Sequence, residues 1–244
     1  MKPPEIAKSA YDSHPGLIRQ NNEDFILADD DLGIYLLADG MGGHNAGEVA
    51  SELAVRTAHT HLSLRLLSDN SNDILTLLSE ALQAAHLAIS TKARNDLSLM
   101  GMGTTLIEVI IRGSKAFICH AGDSRAYRYR EALQRLTRDH TMGDRLLENN
   151  LLTRGQIPEK QWHTLTQAVG FGAPPMPDLK QLDLLPGDML LLCSDGLTDM
   201  LADEEIETVL KGARLNIGST AKGLIEAANI KGGRDNVSVV LIKI

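Results

Sequence analysis

Four aspartates close to a glycine stand at the ends of apolar runs in this sequence. They are Asp39-Gly40 after residues 34–38, Gly122-Asp123 after 115–120, Asp195-Gly196 after 190–193, and Gly232-Gly233-Arg234-Asp235-Asn236 before 237–242. A carboxylate at a strand end, beside a residue without Cβ, lets the backbone approach an ion and offer it a carbonyl. Oxygen donors with no Cys or His among them suit hard cations such as Mg²⁺ or Mn²⁺. One Asp-Gly is an ordinary turn; four flanking apolar strands are a much less common coincidence. A polar cluster, Arg19-Gln20-Asn21-Asn22-Glu23-Asp24, leads into the first clear strand and adds carboxylates and an arginine.

Other chemistries lack their residues. Ser194 follows Leu192-Cys193, so no GxSxG surrounds it, and neither Cys119 nor Cys193 sits in HCx₅R or CxxC. Walker A and HExxH patterns are absent as well. Both cysteines lie in apolar runs and read as reduced, buried thiols. His59 and His61, two apart on a predicted helix, face different sides and make poor joint ligands.

The elements that must position the carboxylates follow from periodicity. Residues 24–28 and 34–38 read as strands joined by the solvated turn Asp29-Asp30-Asp31-Leu32-Gly33. A helical pattern covers 46–67. A clearer one carries Leu75, Leu78, Leu82, Ala85 and Ile89 at steps of three and four, with Asp73 ahead as an N-cap. Residues 105–111, 115–120 and 125–130 read as an antiparallel meander, the third strand with one wet and one packed face. Strands at 189–193 and 237–242 enclose helices at 203–210 and 219–228. Strands in blocks alternating with paired helices predict an α+β fold, a sheet sandwich covered by helices.

Composition bounds the function. The 244 residues carry 24 Lys+Arg against 32 Asp+Glu, a net charge of −8, which argues against nucleic acid as the main ligand. With 43% hydrophobic and 23% charged residues the chain reads as globular, on a core of Leu, Ile, Val and Ala because aromatics are few. Residues 1–5 lack a signal-like apolar region, and no run approaches the ~20 apolar residues of a membrane span. A cytoplasmic protein without membrane contact is the expectation.

The motifs occur in one order. After 19–24 come Leu37-Ala38-Asp39-Gly40-Met41-Gly42-Gly43-His44, Gly101-Met102-Gly103-Thr104-Thr105 and Ala121-Gly122-Asp123-Ser124-Arg125. Leu136-Thr137-Arg138-Asp139-His140, Ser194-Asp195-Gly196-Leu197 and Gly233-Arg234-Asp235-Asn236 follow. Over residues 16–244 the chain resembles the metal-dependent serine/threonine phosphatases of the PPM, or protein phosphatase 2C-like, type, in particular the compact bacterial ones. The resemblance implies a four-layer α/β/β/α sandwich, two antiparallel sheets flanked by helix pairs, as a single domain over 1–244 with a flap-like segment at 144–172. It implies two Mn²⁺ or Mg²⁺ ions, with a third in similar enzymes. Asp39 would bridge two ions, the Gly40 carbonyl would bind one, Asp195 and Asp235 would complete the other, and Asp123 with Asp195 would hold the third. Glu23 and Asp24 would hold ion-bound water from behind, with Asn236 in the same outer ring. Arg19 would grip the substrate phosphate through its planar fork, and His163 in the flap would contact substrate.

The implied reaction is attack of a hydroxide held between the cations on a phosphoserine or phosphothreonine of a protein, with Asp39 and Arg19 as the catalytic residues. The implied partners are a cognate bacterial Ser/Thr kinase and its substrates, met by a monomer. Eukaryotic members often carry a histidine after the bridging Asp-Gly; Met41 stands there instead, leaving His44, His140 or water to protonate the leaving oxygen. The alternative reading is a catalytically quiet module of this fold that binds a phosphoprotein.

Overall fold

Apolar runs without polar alternation need cover on both faces of a sheet. The computed structural model describes residues 8–42, 46–68, 73–212 and 216–244 and supplies that cover. In chain order come β1 (Lys8–His14), β2 (Asp24–Asp29), β3 (Ile34–Met41), α1 (Ala46–Ser68) and α2 (Ile74–Asn95). Then follow β4 (Gly103–Thr104), β5 (Leu106–Arg112), β6 (Lys115–Ala121), β7 (Arg125–Tyr129) and β8 (Leu133–Arg135). The short helices α3 (Met142–Glu148) and α4 (Glu159–Trp162) precede β9 (Asp178–Asp183) and β10 (Met189–Cys193). The chain ends with α5 (Asp195–Thr198), α6 (Asp203–Gly212), α7 (Ile217–Ile230) and β11 (Val237–Lys243).

One sheet has the order β1-β11-β10-β7-β8; the other runs β2-β3-β5-β6-β9, with β4 paired to β3. All pairings are antiparallel. Three apolar cores separate four layers. On β3, Tyr35 and Leu37 face the opposing sheet and meet Leu190, Leu192, Val240 and Ile242. Ile34, Leu36 and Ala38 point the other way, into a core with α1 and α2. Tyr127, Leu191, Val239 and Leu241 pack beneath α6 and α7. The fold is therefore the α/β/β/α sandwich that the motifs implied.

Two expectations change. The three central strands are no meander: β5 and β6 pair, but β7 leaves for the other sheet and pairs with β10 and β8. The Ala121–Ser124 segment is thus a crossover between layers, with Gly122 at φ +116°. Nor is one face of β7 wet, since Ala126 enters the inter-sheet core while Tyr127 and Tyr129 pack under the helices. The 22-residue α2 is long and apolar enough for a membrane span by length and composition. Its buried face, from Ile74 to Ile89, instead packs against α1 and the sheet, and Asp73 caps it by accepting from the Thr76 N–H. Cys119 and Cys193 are free and buried, as expected.

Candidate metal centre

Sheet register brings the carboxylates to one end of the sandwich. Asp24 opens β2 directly opposite Asp39 on β3. Asp195 follows β10 and Asp235 precedes β11, and those two strands pair side by side. Asp123 lies in the crossover between β6 and β7, so both sheets contribute. A cleft of about 1530 Å³ opens over this end, lined among others by Arg19, Glu23, Gly40, Asp123, Asp195 and Asp235.

Backbone hydrogen bonds fix the central residue. The Asp39 N–H donates to Thr105 Oγ1 at 2.9 Å, and its carbonyl accepts from the Thr105 N–H and from Thr104 Oγ1, each at 2.8 Å. The threonines of the 101–105 motif therefore aim the Asp39 carboxylate, a role their sequence alone did not disclose. Next to it, a Cβ on Gly40 would lie 2.1 Å from the Gly47 carbonyl oxygen and 2.7 Å from that of Glu23. The backbone can pass here only as glycine.

The carboxylates crowd one another. Burial, then the charges of Asp24, Asp195 and Asp123, push Asp39 well above the usual carboxylate range. Burial and the charges of Asp199 and Asp235 raise Asp195 to about 6. Burial pushes Asp24 up to about 7 against the opposing hydrogen bond that Ser194 Oγ donates to it at 2.8 Å, and burial raises Asp123 too. Asp24 Oδ1 and Asp195 Oδ1 are buried with no hydrogen-bond partner. Unpartnered buried oxygens, mutually repelling carboxylates and an all-oxygen donor set fit hard divalent cations. The residues present therefore fit the group that the motifs implied.

Not every expected residue faces the centre in the same way. Arg19 Nη2 lies 2.7 Å from Asp235 Oδ2 at the half-open mouth of the cleft. Glu23 is raised by burial, with Arg19 opposing that shift. The Asn236 side chain turns to the loop before β2: its Oδ1 accepts from the Glu23 N–H at 2.8 Å, while its Nδ2 donates to the carbonyls of Asn21 and Pro15. It holds that loop in place rather than pointing at the carboxylates.

His163, just after α4, lies on the cleft wall with Nδ1 3.5 Å from Asp199 Oδ2. His163, Asp195 and Asp199 could jointly ligate an ion. Asp199 received no role in the sequence reading, although its place four residues after Asp195 puts both on one side of a helical turn. The 144–172 segment forms a cleft wall of α3, a 3-10 turn and α4, where Arg154 stacks over Trp162 at 4.7 Å.

His140 is buried, and its ring stacks on His120 at 4.7 Å. Its Nδ1 accepts from the Gly122 N–H at 3.2 Å, which leaves Nε2 as the protonated nitrogen facing Asp178. That tautomer supports the loop bearing Asp123 and disfavours ligation of an ion through Nε2, although His120, His140 and Asp178 lie close enough together for a metal group. His44 lies outside the described residues.

A family model described as Protein phosphatase 2C matches residues 15–221. The serine/threonine protein phosphatase PstP of Mycobacterium tuberculosis is 37% identical over 238 residues, 97% of this chain. The chain spans only 45% of that relative's length. The serine/threonine phosphatase stp of Listeria monocytogenes is 36% identical, the match covering 93% of this chain and 92% of the relative. Among solved structures, the catalytic domain of PstP in complex with two manganese ions superposes with a TM-score of 0.85 at 35% identity, covering 98% of each chain.

Proposed function

This chain belongs to the protein phosphatase 2C family, and from that premise we propose that it hydrolyses phosphoserine and phosphothreonine in proteins with two Mn²⁺ or Mg²⁺ ions. The observation that carries the reading is the crowd of Asp24, Asp39, Asp123 and Asp195, raised in pKa and partly unpartnered, at the foot of an open cleft. Two such cations, when bound, supply Lewis-acid activation of water and screening of phosphate charge.

The chain's own residues do the rest. Asp39, the Gly40 carbonyl, Asp195 and Asp235 would hold the ions, with Asp123 and Asp195 to hold a further one. Thr104 and Thr105 keep the Asp39 backbone from turning, and Asn236 keeps Glu23 beside it. Arg19 presents its guanidinium beside Asp235 at the mouth, where a phosphate's oxygens enter, and bidentate recognition suits that fork. His163 is the exposed imidazole among the described cleft residues, where it can touch the substrate. Residues 1–244 act as one catalytic unit with 144–172 as its flap. We place it in the cytoplasm, as a monomer that reverses a bacterial Ser/Thr kinase; its likeness to the Listeria serine/threonine phosphatase supports the phosphoserine and phosphothreonine substrates.

The test is hydrolysis of p-nitrophenyl phosphate and a phosphothreonine peptide by purified protein with Mn²⁺, with Mg²⁺ and with EDTA. Turnover that requires the cation supports the reading. A folded protein silent in both cations would instead favour a module that binds a phosphoprotein.

A further inference from the structure

Beside the catalytic cleft, a second groove of about 730 Å³ opens between the C-terminal half of α2, the turn that follows it and the 170–174 loop. Its apolar lining is exposed: Leu97 at 81%, Met100 at 74%, Leu87 at 61% and Phe171 at 56%. Clustered large apolar side chains in contact with water mark a binding surface.

The aromatic is held outward by construction. Gly170 and Gly172 take left-handed φ values of +91° and +73° on either side of Phe171. The Gly170 N–H donates to Nδ1 of the buried His86 at 3.0 Å, and a Cβ on Gly170 would strike Ile89 at 2.1 Å. One of only three phenylalanines in the chain thus sits exposed on an anchored loop.

Two further observations select the occupant. Gly101, Phe171, Gly172 and Pro174 line both the groove and the catalytic cleft, so a polypeptide lying in the cleft runs on into the groove. Arg94, also on the groove, bonds only the Ser90 carbonyl and the Thr91 hydroxyl and has no carboxylate partner among the described residues.

We propose that this groove takes an apolar side chain of the phosphoprotein substrate, of leucine or methionine size and a few residues from the phosphoresidue, with an acidic neighbour meeting Arg94. The proposal rests on the phosphatase reading above. It makes substrate choice depend on sequence beside the phosphate, because p-nitrophenyl phosphate has no chain to reach so far.

The test steps a single leucine through about five positions on each side of phosphothreonine in an alanine-rich peptide, reading kcat/KM with Mn²⁺. One or two positions are expected to gain about tenfold over the leucine-free peptide. That ratio should fall to about one in the Leu97→Ser/Met100→Ser double variant. An aspartate beside the favoured leucine should add a further gain that Arg94→Gln removes.

Equal rates at every position, from an enzyme that does hydrolyse the peptides, would overturn the groove and leave the phosphatase reading standing. A preference that survives in the double variant would overturn it as well. Self-association in sedimentation that the double variant abolishes, without any peptide preference, would give the groove to a second copy. Absence of cation-dependent hydrolysis of every peptide and of p-nitrophenyl phosphate would overturn the phosphatase reading and this one with it.

Discussion

At the scale of single residues, Asp39 and Arg19 should fail differently. Asp39→Asn removes charge from the centre of the carboxylate crowd while its backbone stays pinned by Thr104 and Thr105. The expected loss of kcat is at least about 100-fold, the order seen when metal sites are disturbed even at one remove. Near-normal turnover by this variant would sink the ligand assignment. The same substitution relieves repulsion in metal-free protein, so its melting temperature in EDTA should equal or exceed that of wild type. Arg19→Ala leaves the carboxylates in place and takes away a phosphate-binding fork, so KM should rise roughly tenfold with kcat much less altered. If instead kcat fell with KM constant, Arg19 would act in the transition state alone.

At the scale of elements, the sequence disclosed strands where burial is continuous and lost them where it is not. Met189–Cys193 reads the same from pattern and structure, because all five residues are buried. The edge strands Lys8–His14 and Asp178–Asp183 were missed, since their mixed, half-exposed residues carry no clear period. The crossover of β7 into the second sheet was also illegible: a Gly-Asp step between two strands has the same local chemistry whether the strands pair or part. The site was legible as motifs, but Asn236 and the threonine pair work through long-range backbone contacts that spacing does not encode.

One residue breaks the apolar pattern of a central strand. Glu108 on β5 shares a face with Leu106 and Ile110, points into the core beneath α1 and α2, and is fully buried. Neither carboxylate oxygen has a hydrogen-bond partner, the Cys119 thiol opposite on β6 being the polar group it meets. Burial raises its pKa well above the carboxylate range. Glu108→Met should raise stability by about 1–3 kcal/mol at neutral pH, because an uncompensated polar group gives way to a volume-matched apolar one. A destabilised Glu108→Met in thermal unfolding would mean that the carboxyl has a partner that the packing hides.

At the scale of the whole molecule, proton binding and cation binding compete for one end of the sandwich. Asp195 titrates at about 6 and Asp24 at about 7 in the folded, metal-free protein, while in an unfolded chain both lose their protons near 4. Between those values the folded state binds more protons than the unfolded one. Raising pH from about 4 to about 7 therefore removes stability, by up to about 1.4 kcal/mol per pH unit for each such group. Buried His120, lowered to about 4, acts with the opposite sign: its unfolded form gains a proton first, so stability is lost as pH falls from 6.5 toward 4. That histidine effect is common to metal-free and metal-loaded protein and cancels in their difference. Cations bind the ionised carboxylates, so the stabilisation they give grows as protons leave. The gap between melting temperatures in Mn²⁺ and in EDTA should widen steadily from pH 5 to pH 7.5. It should shrink at every pH in Asp39→Asn. A gap independent of pH would show that the cation binds somewhere other than these carboxylates, and the crowding at the foot of the cleft would then need another cause.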